Sequence, residues 1–71
     1  MKARICISSP PDREKLVAEV FFGSDQFAEI NQESQQLEIE FYPKPSGTPW
    51  LIPLQEVFDC LEQARLRLIN M

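Results

Sequence analysis

Glu19, Glu29 and Glu40 have the greatest chemical capacity in this chain. Each sits in a stretch of alternating character, and paired strands would bring the three carboxylates side by side. Such a row can ligate a hard cation, or set an acid of raised proton affinity beside an ionised neighbour. Neither use is favoured here. Glutamates projecting from one flat sheet face rarely converge on a shared ion, and no Asp-rich loop with the turn glycine of a calcium site is present. A glycosidase-type pair needs a cleft, and a chain of 71 residues offers little concavity. The expected arrangement is a solvated carboxylate face with Arg4 compensating one glutamate.

Other reactive groups are scarce. Histidine is absent, which removes the commonest general base near neutral pH, the usual partner of a nucleophilic Cys or Ser, and the commonest transition-metal ligand. Cys6 and Cys60 are too sparse for a disulfide framework, and neither has a second ligand at zinc spacing. The inventory predicts no enzyme, no cofactor and no metal. A net charge of −4 with only seven Lys and Arg argues against nucleic acid; Lys44 and Arg67 make no basic patch. A basic protein is the more compatible heterologous partner. The opening Met1-Lys2-Ala3-Arg4-Ile5 lacks the apolar core of a secretory signal, and no apolar run approaches the roughly 18 residues of a membrane span. These features, with two free thiols, point to a cytoplasmic protein without a membrane partner.

The elements that must position these groups begin with one hairpin. Val17-Ala18-Glu19-Val20 and Phe27-Ala28-Glu29-Ile30 are nearly the same tetrapeptide ten residues apart, with Gly23-Ser24-Asp25 between them as a turn. Ala3 to Ile7 alternates as a first strand, residues 16–22 and 26–32 form the hairpin, and 37–42 is a fourth strand. A rival reading starts a helix at Ser9, with Leu16, Val17, Val20 and Phe21 at helical spacing; a single turn over Pro11 to Lys15 reconciles it with the strand. The segment 43–49, with prolines at 43, 45 and 49, is an extended connection. Trp50-Leu51-Ile52 adds a short edge strand or plugs the core.

A helix over about 53–70 closes the chain, with Glu56 early and Arg65 and Arg67 late, the polarity that the helix dipole favours. At about 100° per residue its apolar stripe comprises Leu54, Val57, Phe58, Leu61, Ala64 and Leu68, leaving Leu66 exposed and Cys60 on the flank. The expected fold is α+β: a single small domain with a four-stranded antiparallel meander and one C-terminal helix packed on one face.

Requiring the apolar faces to coincide across each hairpin sets a register. A three-residue Gly23-Ser24-Asp25 loop pairs Phe21 with Phe27 and Glu19 with Glu29; the next hairpin pairs Phe27 with Tyr42 and Glu29 with Glu40; Ile7 against Leu16 places Arg4 opposite Glu19. The face away from the helix then carries Phe21, Phe27 and Tyr42 in one row and Glu19, Glu29 and Glu40 in the next, with Val17, Arg4 and Cys6 at the far side. The sheet thus separates Cys6 from Cys60. One helix covers one face, so the aromatic row is expected to be an exposed patch that marks an interface. Trp50 folding back over it, a second copy of the chain, or an unidentified basic protein are the candidate covers. The functional expectation is a non-enzymatic interaction protein that self-associates as a homodimer through the open sheet face. The alternative is an acidic adaptor of the antitoxin or immunity type.

The layout Ser9-Pro10-Pro11-Asp12-Arg13-Glu14-Lys15-Leu16-Val17-Ala18-Glu19, Phe27-Ala28-Glu29-Ile30, Leu37-Glu38-Ile39-Glu40, Tyr42-Pro43-Lys44-Pro45-Ser46-Gly47 and Pro49-Trp50 before an amphipathic helix resembles short stand-alone bacterial proteins of uncharacterised function. The resemblance implies the fold and a bacterial cytosol, and assigns no functional residue.

Overall fold

Alternating apolar residues, two turn sequences and a C-terminal helical stripe produce a four-stranded antiparallel sheet in the order β1-β2-β3-β4, with one helix on one face. The computed structural model describes residues 2–70. The strands are β1 (Ala3–Ser8), β2 (Val17–Phe22), β3 (Asp25–Asn31) and β4 (Glu38–Phe41), followed by α1 (Leu54–Ile69). Residues 11–15 form no helix: the Arg13 N–H donates to the Pro10 carbonyl at 3.1 Å in a turn, and β2 starts at Val17.

Two of the expected pairings are present, Glu19 opposite Glu29 and Glu29 opposite Glu40. The turn between β2 and β3 differs. Phe22 faces Asp25 across a two-residue Gly23-Ser24 loop, where Gly23 takes φ +64°, the left-handed backbone that a II′-type hairpin requires at its first position. The shorter loop is offset by a β-bulge: the register shifts between Val20 and Phe21, so that Phe27 and Ala28 together stand opposite Val20 and Phe21 faces Gln26. The pairing of β1 also differs from expectation by two residues, with Ile7 opposite Ala18, Arg4 opposite Phe21 and Cys6 opposite Glu19. A two-residue slip keeps every side chain on its own face, which is why the apolar pattern does not distinguish the two registers.

The bulge turns Phe27 onto the helix side, where it is buried with Phe22, Val20, Ala28 and Ile30. Its ring packs edge-on against Phe22 (centroids 5.4 Å apart), Phe41 (5.5 Å) and Trp50 (5.2 Å). Trp50 therefore plugs the helix side of the core instead of covering the other face, and its Nε1 donates to the Tyr42 carbonyl at 2.8 Å.

The helix lies over β1 and β2. Its buried side chains are Cys60, Ala64 and Leu68, with Val57 and Leu61 partly buried; Leu54 and Phe58, expected in the stripe, are exposed. Small side chains at 60 and 64 let the helix axis approach the sheet, and the contact stripe rotates toward them. Arg67 reaches back from the last turn and donates from Nη1 to the Ile5 carbonyl at 3.0 Å.

Candidate functional site beside strand β4

The face away from the helix is largely occupied by the chain itself. The segment between β1 and β2 is held there by Glu33, whose carboxylate accepts from the Glu14 and Lys15 N–H groups at 3.1 and 3.0 Å, and by Gln32, which donates to the Leu16 carbonyl at 3.0 Å. Arg13 from this segment lies over the carboxylates: Nε donates to Glu29 and Nη2 to Glu40, each at 2.9 Å. Glu29 is only 4% exposed, so Arg13 neutralises a carboxylate that water barely reaches. Val17 on the same face is fully buried.

The residues expected to form an interface here are therefore dispersed. Phe27 is in the core, Val17 and Glu29 are buried, and Glu40 is exposed but paired with Arg13. Glu19 is half-buried between Cys6 and Glu29. Phe21 lies under Arg4, whose guanidinium carbon sits 4.4 Å from the ring centroid. Tyr42 is half-buried and donates a long 3.4 Å hydrogen bond to Glu40; burial first, then Glu29 and Glu40, push its phenol above the ordinary value. Among the described residues there is no group of three or more His, Cys, Asp or Glu side chains placed to hold a metal ion.

The unoccupied apolar surface is on the helix side. Because α1 sits over β1 and β2, the helix-facing residues of β4 are left uncovered: Ile39 opposite Ile30, and Phe41, 57% exposed, opposite Ala28. Leu37 continues the alternation toward the preceding turn. Across from them the flank of α1 offers Phe58, 58% exposed, and Leu61. Leu37, Ile39, Phe58 and Leu61 line a groove of about 350 Å³ with Ile30 at its floor, and Phe41 continues the apolar row along β4 beyond it. Its charged rim is Glu38 and the Glu62–Arg65 pair, joined by two hydrogen bonds of 2.8 and 2.9 Å that hold the Glu62 carboxyl below its ordinary value. Leu54, one helical turn before Phe58, extends the exposed strip.

The helical stripe places Phe58 in the helix–sheet core; the helix's position over one half of the sheet instead leaves it on the surface with Leu37, Ile39 and Phe41. No helix among the described residues is long and apolar enough to cross a membrane. Comparison with known protein families, curated proteins and solved structures finds no match.

Proposed function

We propose that this chain is a non-enzymatic interaction protein that self-associates through the groove between β4 and α1. The observation that carries the reading is the exposed apolar row of Leu37, just before β4, with Ile39 and Phe41 on it, where Leu37 and Ile39 line one groove with exposed Phe58 on α1. Contiguous apolar surface of this kind usually marks an interface, whereas scattered apolar residues need no explanation. The non-enzymatic part draws on the side-chain inventory: no histidine, two carboxylates held by Arg13, and one thiol inside the core.

Light scattering across a concentration series tests it. The expected result is a dimer that Phe58→Glu converts to a folded monomer, while Leu66→Glu, on a helix surface away from the groove, leaves association intact. A wild-type monomer at every concentration, or a Phe58→Glu protein that still dimerises, overturns the proposal.

A second reading, an acidic adaptor that binds a basic protein, draws on the net charge of −4. Salt separates the two. Screening weakens attraction to a cationic partner but relieves repulsion between two acidic copies, so self-association tightens as ionic strength rises.

A further inference from the structure

Resting on the self-association reading, we infer that two copies join by antiparallel pairing of their β4 edges, making one eight-stranded sheet with the two grooves adjoining. The Tyr42 N–H donates to the Phe27 carbonyl at 2.9 Å. Backbone groups of an antiparallel strand alternate in direction, so Glu40, two residues earlier and opposite Glu29, also turns its N–H and C=O toward β3. Ile39 and Phe41 therefore turn theirs to the free edge. Among the described residues no strand pairs there. The other edge differs, since Arg67 docks its guanidinium on the Ile5 carbonyl of β1.

The same alternation selects a second copy as the occupant. An incoming strand must present its own edge-directed groups at apolar positions with charged positions between them, and β4 itself has that pattern. Ile39 then pairs with Phe41 of the second copy, and Phe41 with its Ile39, giving four backbone hydrogen bonds and keeping both apolar rows on the groove side. Glu40 meets its counterpart at the twofold axis, each held by its own Arg13 at 2.9 Å. Shifting the register by two residues toward Glu38 would instead create two Glu38–Glu40 contacts, and Glu38 makes no ion pair among the described residues; shifting it the other way sets Ile39 opposite Pro43, which has no N–H to donate.

Charge gives no signal for a cationic peptide here, because Arg65 balances Glu62 and, among the described residues, only Glu38 on the rim makes no ion pair. A four-residue strand supplies too few hydrogen bonds alone, and the joined apolar rows supply the rest.

Amide hydrogen exchange by NMR, run with light scattering on the intact protein at low and high concentration, tests the pairing. The expected result is that the Ile39 and Phe41 amides exchange about tenfold or more slowly in the dimer than in the diluted monomer. Isotope-filtered NOEs should also connect Ile39 of one copy with Phe41 of the other. A dimer whose Ile39 and Phe41 amides exchange freely overturns edge pairing and leaves groove-mediated association standing. Protection that does not change with concentration overturns it too, since the edge would then be covered within one chain. A monomer at every concentration overturns both.

Discussion

Arg13 and Glu29 form a hydrogen-bonded ion pair, Nε to Oε2 at 2.9 Å, in which the carboxylate is buried and the guanidinium side chain is 22% exposed. The pair fastens an irregular segment to the centre of the sheet. Losing the arginine strands a desolvated charge; losing the charge as well removes the penalty. Arg13→Ala should lower the urea midpoint, because it leaves the buried Glu29 carboxylate without its cation. Adding Glu29→Gln to Arg13→Ala should recover part of that loss. A single mutant with unchanged midpoint would show that water satisfies Glu29 unaided.

Tyr42 makes the fold sensitive to alkali. Burial and the nearby carboxylates Glu29 and Glu40 raise its phenol above the ordinary 10.0, so the folded protein binds this proton more tightly than the unfolded chain does. The resulting stabilisation is complete below pH 10.0 and is lost as pH rises through the higher folded value. Phenolate absorbance should titrate above the free-tyrosine range, and Tyr42→Phe should flatten this part of the stability profile. A phenolate that appears in the ordinary range contradicts the assignment.

The two thiols should behave differently. Cys60 is buried and donates to the Val57 carbonyl at 3.3 Å; burial first, then the Glu56 charge, raise its thiol above the usual value. Cys6, half-buried on the opposite face beside Arg4, is more accessible. A thiol reagent should modify one cysteine quickly in native protein and the second only at the rate of unfolding. Two rapid equivalents would place Cys60 outside the core.

The two neighbouring phenylalanines provide a test of the bulge. Phe27→Ala removes a ring packed against three other aromatics and should cost about 3 to 5 kcal/mol. Phe21→Ala loses a half-buried ring and its contact with Arg4, and should cost clearly less. Thermal or urea midpoints decide. Equal losses would return Phe27 to the outer face.

The order of elements, their boundaries to within one or two residues, and the juxtaposition of Glu19, Glu29 and Glu40 were legible from alternation and turn composition alone. The bulge was not, for an arithmetical reason. A loop one residue shorter than expected followed by one extra strand residue restores the same Glu19–Glu29 pairing, so the two solutions differ only in the stretch from Phe21 to Phe27. Helix rotation was illegible for a different reason. Hydropathy weights Leu54 and Phe58 heavily, whereas close approach to the sheet selects the small Cys60 and Ala64. The groove follows from that rotation, and Arg13's covering of the outer face was marked only by a lone guanidinium in a proline-containing segment between two strands.

The meander and the docked helix are assembled over very different spans of chain. Each strand pairs with its sequence neighbour, but α1 rests on β1 and β2, and Arg67 meets Ile5 across 62 positions. Loop closure over that length is costly in entropy, so strand pairing should precede docking of the helix in the rate-limiting event. Kinetic analysis should then give Val20→Ala a larger φ-value than Leu68→Ala; the reverse order would make the helix part of the nucleus. During synthesis the four strands emerge before α1, and the greasy side of the sheet stays wet until α1 has left the ribosome. The groove beside β4 is the portion of that side which the helix never covers.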